Sequence, residues 1–456
     1  MDMPVVAESR RKLGVGKILF VFGVVLLIAA VIGLALWRAG MEARLDREVA
    51  RIHEAGDPIT AEEMAAFYRL PEGADDCTRL YVEACQGLKG PAFDQAAAKL
   101  PYVNLEIEES SIPFPPEPWP ELEAAEKFLA SYQSWLDLLH EAARRGGAAR
   151  YVLDFSKGIN VSVDHATALR QSGRLLQLQA LVQAHRDNAP GAAAAILAQW
   201  RAAESLAQEP LLVSQLIRIA LGRMAMAQLE TLRGTTEFSD DDLRMLQRAF
   251  RQYDGADALY RSLRGERWFA YDAIMHPVAN NFLDDPKFLD KFFRHQDTAF
   301  VLEHMARLIA AAKGTMPTMR QEFADLDAGI QTAAEPGWLD KLHTNHASDY
   351  GILSTAPVDV LFRAQARAMA ADAAIAAELY RRQHDALPAT LEALVPDFLP
   401  AVPVDPFSGL PLLMSARADE LVIYSIGPDG IDDGGVVRVE IGMTPDEGFS
   451  LRPGPK

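Results

Sequence analysis

The apolar pattern is strongest near the N-terminus, where an uncharged stretch runs from Ile18 to Trp37. At about 1.5 Å of rise per residue, a helix over this stretch spans roughly 30 Å, the thickness of the hydrocarbon core of a bilayer. Trp37 suits the membrane interface, and Arg38 follows it directly. The pattern therefore predicts one transmembrane helix over 18–37, with membrane lipid as its partner.

The orientation of this span depends on the basic residues on its two sides. Those before it are Arg10, Arg11, Lys12 and Lys17, and those after it are Arg38, Arg44, Arg47 and Arg51. We favour a basic cytoplasmic tail over 1–17 and a body on the outer side of the cytoplasmic (inner) membrane. A signal peptide cleaved near Ala35 or Ala39 is the alternative, although the apolar run exceeds the usual signal-peptide length.

Helical periodicity dominates residues 38–355. A capping box at Thr60 to Glu63 and a Pro-rich stretch over 101–120 come first, and we expect the latter to be an extended linker on the surface. Beyond it, apolar positions recur every three or four residues, which predicts one amphipathic helix. This stripe consists of Leu122, Ala125, Leu129, Tyr132, Leu136 and Leu139.

Two more stripes follow with the same spacing. They are Leu175, Leu178, Val182 and His185 in the first, and Leu212, Leu216, Ile219, Met226 and Leu229 in the second. Further helices are predicted around 190–208, 239–252, 256–275 and 298–313. Because the breaks between them are short, the fold class is mainly α, with antiparallel neighbours in a bundle or an irregular solenoid.

The composition changes after about residue 355. An Ala-rich helix over Val358–Gln383 leads to candidate strands around 410–414, 420–425 and 436–441. A long helix followed by a small antiparallel sheet is an α+β arrangement. We therefore expect a small C-terminal α+β module over 356–445 and a tail over 446–456.

Four short patterns follow one another in this module. They are Tyr380-Arg381, a Leu-Pro-x-x-Leu-x-x-Leu-Val-Pro turn from Leu387, Asp405-Pro406-Phe407, and the stretch from Tyr424 to Gly430. In these patterns and in their order, the module resembles the globular half of type II secretion major pseudopilins, which implies their fold and a protein-docking role. Because the transmembrane stretch lacks the cleavage site and the Phe-Thr-Leu-x-Glu start of prepilins, we do not expect a processed pilin subunit.

A second resemblance concerns the central helices. Leu211–Leu221 and the string Arg264–Arg267 resemble segments of an uncharacterised group of membrane-anchored helical proteins from environmental bacteria. This resemblance implies an architecture and no activity.

The pseudopilin resemblance also implies calcium in the loop that carries the final aspartates. Here that loop runs from Asp429 to Gly435, and its Asp-Gly alternation supplies the carboxylate and carbonyl oxygens that hard cations need. We predict Asp429, Asp432 and Asp433 as ligands, with Asp405 as an outer member of the set. An EF-hand is excluded because Ile431 occupies its third position, and a plain acidic turn between strands is the alternative.

Charge and cysteine content limit the partners and the chemistry. The net charge is −18 and the pI is about 5.0, so the protein repels polyanions and nucleic acid is not an expected partner. Cys77 and Cys85 fall in one predicted helix, where eight residues separate their Cα atoms by about 12 Å, beyond the ~7 Å limit for a disulfide. We therefore predict two free thiols.

No catalytic motif emerges from the sequence. His343 and His346 are spaced to share a helix face, but the Glu of a zincin pair and a third ligand are missing. His140 and His185 end apolar stripes, where packing or capping is the expected role. The chain also lacks a nucleophile elbow, a complete phosphate loop and a dinucleotide fingerprint.

Glu266 stands between Arg264 and Arg267, and we expect it to form a helix-packing salt bridge, with a functional carboxylate as the alternative. The sequence thus favours a single-pass, membrane-anchored, non-enzymatic scaffold or interaction protein of the cell envelope. One alternative is an accessory component of a type II secretion or pilus-like system. The other is an envelope enzyme whose site lies around Glu266 or around His343 and His346.

Overall fold

A computed structural model describes residues 15–86, 88, 91–104, 106–108, 111–276, 290–333, 355–417, 420–437 and 446–452. These residues form 14 α-helices and one small three-stranded antiparallel sheet, so the prediction of a mainly α protein is confirmed. The histidine pair His343 and His346 lies outside the described residues.

The N-terminal helix, α1 (Val15–Glu54), continues without a break beyond the predicted span. It is long and apolar enough to cross a membrane, and its most apolar window, with a mean hydropathy of 3.1, is 0% buried. Its C-terminal part packs against the body instead, because Leu45 and Ile52 are buried in a small core with Ile59, Ala299 and Leu302. One helix therefore has an exposed apolar half and a packed amphipathic half.

The first helices of the body are short. They are α2 (Ala61–Phe67), α3 (Thr78–Gln86), α4 (Pro91–Ala97), α5 (Leu122–Ser131) and α6 (Gln133–Arg144). The predicted capping box at Thr60 and Glu63 is confirmed. No disulfide joins Cys77 to Cys85, as expected.

Two expectations for this region are corrected. The stripe from Leu122 to Leu139 is divided between α5 and α6, because Tyr132 leaves the helical conformation with φ −112° and ψ 12°. Leu129, Leu136 and Leu139 are buried on the two sides of this break, whereas Leu122 is only partly buried. The Pro-rich stretch is irregular but is not only a surface linker, since it buries Val103, Ile112 and Trp119 in the main core.

The central helices are longer and confirm the predicted periodicity. They are α7 (Asp164–His185), α8 (Ala189–Glu204), α9 (Leu212–Leu232), α10 (Asp240–Arg251), α11 (Gly255–Met275), α12 (Asp290–Ala311) and α13 (Met316–Ala333). Neighbouring pairs such as α7 with α8, α8 with α9 and α11 with α12 pack against each other. One position departs from its stripe, since Leu216 on α9 is 37% exposed.

The helix α14 (Thr355–His384) lies at the centre of the C-terminal half. Small side chains let α9, α10, α11, α13 and the sheet approach its backbone from several sides. Its fully buried alanines are Ala366, Ala370, Ala371, Ala373, Ala374, Ala376 and Ala377.

The sheet has the order β1-β2-β3, with β1 (Leu413–Ala416), β2 (Leu421–Ser425) and β3 (Glu447–Leu451). All five residues of β2 and all five of β3 are buried. The third strand was predicted over 436–441, but residues 436–437 are not in a strand and 438–441 lie outside the described residues. The strand is β3 instead, inside the stretch predicted as a tail.

The hydrophobic core does not divide where the composition changes. A single cluster of buried side chains includes Cys77 on the N-terminal side and Leu451 in β3, with α14 residues between them. The predicted boundary near residue 355 therefore does not separate two cores.

Candidate functional site

The two arginines that flank Glu266 on α11 turn away from it. Arg264 and Arg267 both pair with Asp57, at 3.0 and 3.1 Å, in the segment that joins α1 to α2. Asp57 is 8% exposed, so both pairs are largely shielded from water. The predicted salt bridge of Glu266 is therefore wrong. The carboxylate that pairs with both arginines is that of Asp57.

Glu266 contacts the beginning of α9 instead. Its Oε1 accepts a hydrogen bond from the backbone N–H of Leu212 at 2.9 Å, in the first turn of that helix. Among the described residues, no cation pairs with this carboxylate. Burial raises the pKa of Glu266 to about 6, and the hydrogen bond from Leu212 offsets part of that effect.

A close backbone contact places Glu266 at this point. A Cβ atom added to Gly265 would stand 1.5 Å from the carbonyl oxygen of Pro210, so only glycine lets α11 approach the segment before α9 so closely. The next residue on α11 then reaches the first N–H groups of α9. Glycine at 265 and the N-terminus of α9 thus fix the position of the carboxylate together.

Glu266 lines a groove of about 320 Å³ whose other walls are apolar. The groove lies between α9, α11 and the segment before α7, and we call it the Glu266 groove. Its remaining lining residues are Ile159, Val161, Val163, Leu211, Leu212, Val213, Leu216 and Phe269. Val213 is 47% exposed at its rim, so this end of α9 presents an apolar surface to solvent.

A larger cavity, of about 950 Å³, lies where α1 turns into α2. Several of its charged side chains pair within the protein: His53 lies 3.2 Å from Glu63, and Arg261 pairs with Asp257. Glu63 also accepts the backbone N–H of Ile59 at 2.9 Å. These contacts stabilise the connection between α1 and the body.

The predicted calcium ligands occupy two different positions. Asp405 is 2% exposed, and its carboxylate accepts the Ser425 hydroxyl at 2.7 Å and the Phe407 N–H at 2.9 Å. It therefore joins the turn after α14 to the end of β2. Asp432 accepts the Tyr424 hydroxyl at 3.0 Å, and Asp429 accepts the Ile431 N–H at 3.1 Å.

An acidic residue that the sequence reasoning missed faces the same loop. Asp446 is 1% exposed and accepts the Gly435 N–H at 2.9 Å through Oδ2, while its buried Oδ1 has no hydrogen-bond partner among the described residues. Burial raises its pKa, and the charges of Asp432 and Asp433 add to the increase. Within the described ranges, no three His, Cys, Asp or Glu side chains converge on a metal position.

The histidines have structural contacts. His140 pairs with Gln179 at 2.8 Å, and His185 contacts the Pro113 carbonyl at 3.1 Å, as expected for residues at the edge of a stripe. A further pair was not apparent in the sequence: His165 lies 2.5 Å from the fully buried Glu209. The His165 ring also stacks on Tyr151, with the ring centroids 4.3 Å apart. These contacts join the start of α7 to the segment before α9.

Comparison of the chain with protein-family models, with curated proteins and with solved structures found no match. The resemblance of residues 356–445 to type II secretion pseudopilins therefore stays a prediction, supported by the residue patterns alone.

Proposed function

We propose that the chain is a single-pass membrane protein of the cell envelope that holds a rigid interaction scaffold at the outer surface of the cytoplasmic membrane. The observation that carries this proposal is the division of α1 into two halves. The first half is apolar and exposed, and the second half packs on the body. A protein that needed only a flexible tether would have a break between these halves.

Contacts between α1 and α12 support the rigid attachment. Arg44 donates two hydrogen bonds to Glu303, at 2.7 and 2.6 Å, in a bidentate geometry. At the membrane end, Trp37 and Phe293 meet edge to face, with ring centroids 5.5 Å apart. Because these contacts lie along one face of α1, the body keeps a fixed orientation relative to the span.

Membrane extraction tests the anchor. We expect the full chain to stay in the membrane after alkaline carbonate washing and to dissolve in detergent, with residues 1–37 still present by mass. Added protease should digest the body in spheroplasts but not in intact cells. Recovery of a soluble chain that begins near Ala35 or Ala39 would establish the signal peptide, and protection of the body in spheroplasts would reverse the orientation.

The interaction role is tested with a variant that stays in the membrane but no longer holds the body in a fixed orientation. Leu45→Asp places a charge in the small core between α1 and α12 while leaving 18–37 intact. We expect crosslinked complexes in native membranes for the unaltered chain and their loss for this variant, which should remain in the membrane. Arg79→Ala, an exposed change on α3, serves as the matched control. Identical crosslinking of both variants would contradict a role for the fixed orientation.

A second candidate role is that of an accessory component of a type II secretion or pilus-like system. It is supported by the order of elements at the C-terminus, where α14 leads into an antiparallel sheet of three sequential strands. Co-purification with pseudopilin subunits after gentle crosslinking is the expected result. Isolation of the chain without such subunits, from cells that express them, would exclude this role.

A further inference from the structure

The walls of the Glu266 groove have the composition of a small-molecule site. Eight apolar residues and one carboxylate line a volume of about 320 Å³, at the lower end of the range for ligand pockets. This is the space of roughly ten water molecules at about 30 Å³ each. The groove therefore suits a compact ligand better than a helix or a long peptide.

The carboxylate gives the groove its selectivity. Its polar contact among the described residues is the Leu212 N–H, and the neighbouring arginines are both held by Asp57. An ionised carboxylate against an apolar wall lacks both full hydration and a counter-charge, and a buried charge is stable when it is paired. A cation with an apolar body would pair with this carboxylate and fit among the aliphatic side chains of the groove.

We propose that the Glu266 groove binds a compact apolar molecule that carries one protonated amine. The ammonium group donates to the Glu266 carboxylate, and the hydrocarbon part covers Val161, Val213 and Leu216. A carboxylate ligand is repelled by Glu266, and an alcohol of the same shape gains the apolar contact but not the ion pair. This activity is independent of the membrane anchor and of the proposed scaffold role.

The test uses three small probes of one shape: 3-methylbutylamine, 3-methylbutanol and 3-methylbutanoate. Each is titrated into the full chain in lipid nanodiscs, with saturation-transfer NMR as the readout and empty nanodiscs as the blank. We expect the amine to bind at least tenfold more tightly than the alcohol and the acid not to bind. Equal affinity for all three, or no binding of the amine, would overturn the proposal.

Glu266→Gln separates binding from a purely structural role of the side chain. Glutamine keeps an oxygen that can accept the Leu212 N–H, so α9 stays capped while the charge is removed. The variant should fold, lose at least tenfold in amine affinity and bind the alcohol unchanged. Asp257→Asn, which removes a half-exposed carboxylate from the same helix, should leave amine binding as it is. Unchanged amine affinity in Glu266→Gln would leave Glu266 only as the cap of α9.

Two further measurements locate the probe in the groove, so that the test does not depend on Glu266→Gln alone. Leu216→Trp should fill the groove and abolish binding of amine and alcohol alike, whereas Val360→Trp, at a position 38% exposed on α14, should not. In the unaltered chain, amine affinity should fall as the pH drops through and below about 6, because protonation of Glu266 removes the charge. A pH-independent amine affinity would contradict the ion pair.

Discussion

The carboxylate of Glu230 joins α9 to β3 across 220 residues of sequence: its Oε1 accepts the backbone N–H of Ser450 at 2.9 Å. Its other oxygen, Oε2, accepts from Arg367 on α14 at 2.8 Å, and Arg367 also donates to the Gly448 carbonyl at 3.1 Å. Three elements that are distant in the chain thus meet at one buried ion pair. The last strand is thereby fixed to the helical body.

Glu230→Ala should destabilise the protein by about 3 kcal/mol, the lower end of the range for breaking a buried ion pair, because Arg367 loses its closer carboxylate and, among the described residues, keeps only Glu447 at 3.6 Å. Glu230→Gln should cost less, since its amide oxygen can still accept the Ser450 N–H. Urea unfolding of the full chain in detergent gives both values, and Glu237→Ala, an exposed carboxylate in the next loop, is the control. A loss below about 1 kcal/mol for Glu230→Ala would show that β3 is held by apolar packing alone.

Glu378 on α14 should make the protein sensitive to strong acid. Burial alone would raise its pKa, but the hydrogen bonds from Arg381 and Arg382 and the charge of Arg233 lower it to about 2. The folded pKa lies below the ordinary value of 4.5, so this stabilisation is complete above pH 4.5 and is lost as the pH falls through 2. The shift corresponds to about 3 kcal/mol. Glu378→Gln should lose this amount at pH 7 and show a flatter profile between pH 4.5 and 2; an unchanged profile would contradict the prediction.

Glu266 should change the stability with pH in the direction opposite to that of Glu378. Its pKa is raised from 4.5 to about 6, so the folded state binds the proton more tightly and the stabilisation is complete below pH 4.5. It is lost as the pH rises through 6, by at most about 2 kcal/mol. Between pH 4.5 and 6, the unfolding midpoint of Glu266→Gln should vary less with pH than that of the unaltered chain. Parallel curves would mean that solvent reaches the carboxylate freely.

Asp446 tests whether the acidic loop holds calcium. If Asp446 and Asp432 share the ion, calcium should raise the stability of the full chain, by about 2.7 kcal/mol at a hundredfold excess over the dissociation constant. Asp446→Asn should abolish that increase and should raise the melting temperature in chelator, because it removes a buried charge beside Asp432 and Asp433. Glu392→Gln, an exposed change in the short helix Leu391–Leu394, is the control. The absence of a calcium effect on the unaltered chain would identify the loop as a plain acidic turn.

Residue patterns along the chain determined the long apolar N-terminal helix, the mainly α class and most helix positions. Ile18 to Trp37 and the stripes of α7 and α9 are local signals, since apolar spacing on one helix depends only on neighbours within a few turns. The absence of a disulfide between Cys77 and Cys85 followed from the same helical geometry. The patterns did not determine the break at Tyr132, because the apolar spacing continues through it and only packing shows the change of direction.

Tertiary structure decided every pairing on which the proposals depend. The sequence placed Arg264 and Arg267 beside Glu266, yet Asp57, some two hundred residues earlier, takes both of them. β3 has few alternating positions, and its burial arises from contacts with β2, α9 and α14. These pairs form because the residues are close in space. Gly265 and the small residues of α14 make this possible, since they let neighbouring backbones approach closely. The Glu266 groove forms where these distant segments meet, so no local sequence pattern predicts it.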